Sequence, residues 1–207
     1  MSYMDLSLIK KHFYPRTVLD IGAHVGEFNR SCYEQFPGVN VLSIEGNEFC
    51  EPELKAVAPH YKILLLGKEN KKVIFYKTKK NLTNTGDSIY RELTEHYSDE
   101  LVMEQEKDLV TLDSCLSNPF LVFDLIKIDT QGSELDILEG GKQLALRAKG
   151  ILLEVSEKPY NKDAPLYNDV ISYMNSIGFE KTEILACDTR VGQLDILFIN
   201  KNLQKEI

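Results

Sequence analysis

The stretch Thr17-Val-Leu-Asp-Ile-Gly-Ala-His-Val-Gly26 narrows what this chain can fold into more than any other. Val18, Leu19 and Ile21 form an apolar run that stops at Gly22. Beyond it, Val25, Phe28, Cys32 and Phe36 recur at the spacing of a helix. A strand, a glycine turn and a helix in succession bring backbone close to a nucleotide-like ligand. The dinucleotide fingerprint Gly-x-Gly-x-x-Gly is not met, because His24 stands where its second glycine belongs. A side chain there keeps a pyrophosphate off the turn. Asp20 would also repel phosphate; it suits a ligand with positive charge and amine donors.

A related stretch begins at Asp124. Phe120 to Asp129 reads as a strand, with Leu125, Lys127 and Asp129 on one face and Ile126 and Ile128 on the other. Asp129 ends it at the position where open α/β sheets place their ligands. Gly132 permits a tight turn, and Ser133 to Arg147 reads as a helix with Leu135, Leu138 and Leu144 inward. Two readings fit Lys127, since a bare buried ammonium is very costly: an ion pair, with Asp20 as a candidate, or a ligand contact. Glu134 is either a first-turn acid favoured by the helix dipole or a site residue.

Together, Asp20-x-Gly22-x-x-x-Gly26 and Lys127-Ile-Asp-x-x-Gly-x-Glu134 resemble the two motifs of the FkbM family of S-adenosylmethionine-dependent methyltransferases. The resemblance spans about Thr17 to Asn200. It implies one α/β domain over 1–207 with a Rossmann-like class I methyltransferase sheet, mostly parallel with an antiparallel last strand, and a small β-rich insertion at 71–112. It implies S-adenosylmethionine as cofactor. Asp20, Gly22, Ala23, His24 and Gly26 would receive the methionine part, although His24 departs from the family's usual asparagine. Glu45, followed by Gly46, would hold the ribose, which also fits an acid at the end of a second strand past the glycines. Leu66 and Gly67 either line the adenine or belong to the core. Asp129, with Glu154, Lys127 and Glu134, forms the set for a base or acceptor clamp. The implied acceptor is a hydroxyl on a sugar, a glycan or a polyketide-like molecule.

Two other classes stay open. A nicotinamide-dependent oxidoreductase or epimerase keeps the strand-glycine-helix unit and Glu45 but is weakened by His24. A non-catalytic scaffold on the same fold would retain both motifs. Asp129, Glu134 and Glu154 are hard oxygen ligands suited to magnesium or calcium, but their spacing demands no metal and none is assigned.

Twenty-four Lys and Arg stand against 32 Asp and Glu, a net charge of −8, so a nucleic-acid backbone is not an expected partner. The basic run Lys68 to Lys80 encloses Val73 to Tyr76 and reads as a strand with solvated flanks. Four scattered cysteines, without Cys-x-x-Cys, read as free thiols, Cys32 buried. With no signal peptide or membrane span legible, the cytoplasm is the expected compartment. Assembly into homo-oligomers is left open.

The remaining segments follow in order. Residues 1–15 read as a short helix at the domain edge. Val39 to Glu45 reads as a strand, Glu48 to Ala58 as a helix, and Tyr61 to Gly67 as a strand. In the insertion, Val73 to Tyr76, Gly86 to Tyr90 and Lys107 to Leu112 read as strands or turn-plus-strand. Thr83 to Ser88 is either a solvated hairpin loop or a segment reaching the ligand. Gly150 to Val155 is a fifth main strand carrying Glu154 towards the pocket of Asp129, and Lys158 to Pro165 reads as an acceptor lid. A helix from Tyr167 to Ile177 precedes an edge hairpin, Glu183 to Ala186 and Leu194 to Ile199. Asp195 either touches the pocket from below or belongs to the exposed surface of this edge, and the surface is the preferred reading.

Overall fold

The computed structural model describes residues 4–203. Its strands are β1 (Thr17–Ile21), β2 (Asn40–Glu45), β3 (Tyr61–Ile63), β4 (Leu65–Leu66), β5 (Lys71–Thr78), β6 (Val102–Val110), β7 (Leu125–Ile128), β8 (Gly150–Ser156), β9 (Phe179–Asp188) and β10 (Gln193–Asn200). The helices are α1 (Glu27–Gln35), α2 (Glu51–Val57), α3 (Leu112–Cys115), α4 (Glu134–Gly140), α5 (Lys142–Ala145) and α6 (Tyr167–Ser176). The main sheet runs β3-β2-β1-β7-β8-β10-β9, and a smaller one runs β4-β6-β5. β1, β2, β3, β7 and β8 pair in parallel, while β10 is antiparallel to both of its neighbours. This is a mostly parallel α/β sheet with an antiparallel last strand, and the insertion supplies β5 and β6 of the second sheet, which β4 joins from before it.

Alternation along the strands separates two cores. Leu19, Ile21, Ile126, Ile128, Ile151 and Leu153 pack with Ile137, Leu138, Val170 and Met174 from α4 and α6. Val18, Leu125, Leu152 and Leu197 pack with Phe28 and Cys32 of α1. Leu6 and Ile9 join this second core from a 3-10 helix at Leu6–Lys11, the form taken by the described part of the N-terminal helix. Residues 1–3 lie outside the described residues. No helix among the described residues is long and apolar enough to cross a membrane.

Several boundaries differ from the sequence reading, each for a tertiary reason. The strand expected from Phe120 starts only at Leu125; Asp124 Oδ2 accepts the N–H groups of Arg16 and Thr17, and Phe120 is 88% exposed. The strand expected over Tyr61 to Gly67 splits after Ile63. Leu64 N–H donates to the Glu45 carbonyl, and Leu65–Leu66 then crosses to the small sheet beside β6. The helix expected over Ser133 to Arg147 breaks at Gly141, where a Cβ would lie 2.5 Å from Leu112 Cδ2. Asp113 of α3 accepts the N–H groups of Gln143 and Leu144, capping the second piece. The helix expected from Glu48 opens instead with a 3-10 turn, Glu48–Cys50. In the insertion, β6 begins at Val102 rather than Lys107, Leu112 starts α3, and no strand forms at 86–90, where Ser88 makes a single bridge to Tyr76. Asp195 is not at a sheet edge. β10 lies inside the sheet between β8 and β9, and its register sets Asp195 beside Glu154.

Candidate active site

The carboxyl ends of β1, β2 and β7 open into a cavity of about 410 Å³. Its floor begins at Gly22 (φ +77), which only glycine can occupy: a Cβ there would lie 1.8 Å from the Asp129 carbonyl oxygen. Gly22 and Ala23 N–H donate to the Ile44 carbonyl at 2.9 and 3.1 Å, tying the turn to β2. His24 takes a left-handed φ of +49, so the chain keeps a glycine-like backbone at the position where the motif carries a side chain. Its N–H donates to Glu45 Oε2 at 2.8 Å, and its Nε2 donates to the Thr83 carbonyl of the insertion at 2.7 Å. Glu45 Oε1 accepts the Asn47 N–H at 2.7 Å, so one carboxylate is held in place by two backbone donors.

Gly22, Ala23, His24, Glu45, Gly46 and Leu66 all line the cavity. Asp20, Gly26 and Gly67 do not. Asp20 is fully buried beneath the turn, Gly26 abuts Val57 and Leu54, and Gly67 packs against Leu109.

Asp20 reaches the site through Lys127. Across the paired β1 and β7, Lys127 Nζ lies 3.5 Å from Asp20 Oδ1 and 3.1 Å from Asp129 Oδ2, with the Phe28 ring centroid at 5.3 Å. Lys127 thus makes the ion pair with Asp20 and also lines the cavity. Burial works against its charge, but Asp129, Asp20 and Asp195 outweigh it and hold the ammonium above its ordinary range. Burial also pushes the Asp20 carboxyl up to about 6, against the opposing pull of Lys127.

Glu154 and Asp195 share the cavity with Asp129. Burial first, and then Asp129, raise Asp195 to about 7; the same causes, with Glu134 and Asp195 added, drive Glu154 well above its usual range. Gln131 Nε2 donates to Glu154 Oε2 at 2.6 Å and approaches Asp129 Oδ1 at 3.4 Å, and Gln193 Nε2 donates to Glu154 Oε2 at 3.2 Å. Glu134 stands behind this group, outside the cavity wall. Its carboxylate accepts the Thr130 N–H at 2.9 Å and the Gly132 N–H at 3.1 Å, and burial pushes it up to about 7.

The sequence reading missed Gln131 and Gln193, named Ser88 and Tyr160 only as parts of segments that could reach a ligand, and preferred the surface for Asp195. Two of these were legible in principle, because Gln193 and Asp195 alternate onto one face of β10, against Ser156 and Glu154. Ser88 carried no such signal; its Oγ lies 2.9 Å from the carbonyls of both Thr130 and Gln131, a contact made only by the folded insertion. Tyr160 comes in on the expected lid loop, which is fastened to the insertion by Leu93 N–H to the Tyr160 carbonyl and Asn161 Nδ2 to the Tyr90 carbonyl.

These residues fit a cationic nucleoside such as S-adenosylmethionine. An open glycine backbone adjoins a backbone-anchored carboxylate, and among the described residues lining the cavity Lys127 is the one Lys or Arg, against Glu27, Glu45, Asp87, Asp129, Glu154, Asp188 and Asp195. The fold has matching solved structures. A TehB-like SAM-dependent methyltransferase from Corynebacterium glutamicum aligns with a TM-score of 0.50 at 13% identity, covering 96% of this chain and 88% of that one. Magnesium protoporphyrin IX methyltransferase from Synechocystis aligns with TM-scores of 0.52 with bound SAM and 0.53 with bound SAH. Identity to these two is 11% and 12%, over 94% of this chain and 75% and 78% of theirs. No curated protein matches the chain. A family model, the methyltransferase FkbM domain, matches residues 20–181, which takes in both motifs, the insertion and most of the main sheet. The chain belongs to the FkbM methyltransferase family.

Proposed function

We propose that this S-adenosylmethionine-dependent methyltransferase methylates a hydroxyl on a sugar, a glycan or a polyketide-like molecule. One observation carries the reading. A single cavity joins the glycine turn and Glu45 to a carboxylate group, Asp129, Glu154 and Asp195, gathered around Lys127. Bound there, S-adenosylmethionine supplies an already activated methyl group. The work left to the protein is to hold the acceptor oxygen in line and take its proton.

The Gly22–His24 backbone and Glu45 are the residues to hold the cofactor. Asp129 is the residue to receive the hydroxyl proton as the oxygen–methyl bond forms and the carbon–sulfur bond breaks. Lys127 fixes one of its oxygens, at 3.1 Å, and the Gln131 amide faces the other. Glu154, which burial and then Asp129 push well above its usual range, lines the same cavity with Gln193 and Tyr160, and the three add further polar groups for a polyhydroxyl acceptor.

Titration of the purified protein with S-adenosylmethionine, S-adenosylhomocysteine and NAD tests the cofactor. The first two are expected to bind, with Glu45→Ala weakening both; binding of NAD alone would sink the proposal. In an acceptor screen, Asp129→Asn should keep cofactor affinity within about twofold and cut methyl transfer by about a hundredfold or more.

A further inference from the structure

We infer that Asn47 is a cofactor-positioning residue, holding segment 82–87 of the insertion in place as a wall of the cavity that Glu45 also lines. The inference rests on the S-adenosylmethionine site described above. Asn47 is 1% exposed and does not line the cavity itself. Its backbone N–H donates to Glu45 Oε1 at 2.7 Å. Its side-chain Nδ2 donates to the Leu82 carbonyl at 2.7 Å and to Asp87 Oδ2 at 2.9 Å. Its Oδ1 accepts from Lys77 Nζ at 2.7 Å and from Phe49 N–H at 3.1 Å. The amide's two donors and two acceptor positions are all in use.

A plain helix cap would need much less. Capping the 3-10 turn at Glu48–Cys50 uses only the bond from Phe49. The two donor bonds point the other way, into the insertion, and they close on Leu82 and Asp87, the two ends of a segment whose middle residues Asn84, Thr85 and Gly86 line the cavity. The segment has little slack. A Cβ on Gly86 would lie 2.0 Å from Glu92 Oε2, and Tyr97 Oη donates to Asp87 Oδ1 at 2.7 Å. Asn47 therefore stands between two walls of the cavity, its backbone on the Glu45 side and its side chain on the insertion side. Losing the amide donors frees the second wall and leaves the first intact.

The test is the dissociation constant of S-adenosylhomocysteine, measured well below each variant's unfolding midpoint so that global stability does not enter it. Asn47→Asp keeps the shape and the contacts of Oδ1 but sets a carboxylate oxygen against the Leu82 carbonyl and Asp87. It should weaken binding about tenfold or more. Asn47→Asp with Asp87→Asn restores a donor–acceptor pair in reversed polarity at residue 87, though not at the Leu82 carbonyl, and should bind at least about threefold more tightly than Asn47→Asp alone. Affinity of Asn47→Asp within about twofold of wild type, or a double variant no better than the single one, would overturn the assignment. If Asn47→Asp does not fold, Asn47→Ala is held to the same tenfold criterion. A wild-type protein that fails to bind S-adenosylhomocysteine would overturn the cofactor site itself, and the wild-type arm shows that outcome separately.

Discussion

Gly22 and Gln131 face each other in the problem they solve, since both are in left-handed backbone conformations at the carboxyl ends of neighbouring strands, at φ +77 and +56. At Gly22 the conformation is free, and the missing Cβ is what lets β1 and β7 close to backbone contact. Gly22→Ala should cost about 2–4 kcal/mol in urea denaturation, combining the positive φ with a clash that only separation of the strand ends relieves. An unchanged urea midpoint would show that the turn rearranges without loss. At Gln131 the conformation is strained, at about 1–3 kcal/mol for such residues, and its side chain spans Asp129 and Glu154. Gln131→Gly relieves the backbone and deletes the amide. Its thermal midpoint should match or exceed wild type while methyl transfer falls about tenfold. A purely architectural residue would lose both together.

Among the elements, the insertion makes contacts at both ends of the cavity. His24 and Asn47 hold it near Glu45, and Ser88 holds it at the turn after β7. Ser88→Ala removes a buried hydroxyl from two carbonyls and should cost about 1–2 kcal/mol, with a larger fall in kcat than in cofactor affinity. Equal losses in the two would place Ser88 in the fold alone. This is also where the sequence stops being readable. β1, β2 and β8 announce themselves as apolar runs bounded by turn residues; the second motif marks Asp129, and Glu45 is marked by its position at the end of the second strand. The break after Ile63 is different, because Tyr61 to Gly67 is one uninterrupted apolar run; only pairing of Leu65 and Leu66 with β6 divides it. Gly141 looks like any helical glycine until Leu112 packs against it. Asp195 looks exposed until β9 pairs outside β10 and makes an interior strand of it.

At the scale of the whole molecule, the buried carboxyls set how stability responds to pH. Burial raises Asp20 to about 6 and Glu134 and Asp195 to about 7. In the unfolded chain such groups titrate near about 4. Between about pH 4 and 7 the native protein binds protons that the unfolded chain has already released, so stability falls as pH rises through this window. Denaturation at about pH 5 should require more urea than at about pH 7.5, and Asp195→Asn should flatten the difference; a rise in stability across that window would contradict the protonation assigned to these acids. The smaller sheet has a consequence of another kind. The chain leaves the main sheet through β4 and comes back through β6, and these two strands lie paired in parallel, Leu65 beside Leu109 and Leu66 beside Val110. The two attachment points are thus about one strand spacing apart, roughly 4.8 Å. The length of chain between them can change without stretching the scaffold, since the closure is already made at the seam. Such a segment has the closure of an exchangeable cassette, and grafting one from a relative tests whether it carries acceptor preference. The graft will seat only if it brings a carboxylate for Asn47 and a hydroxyl for the turn at Gln131.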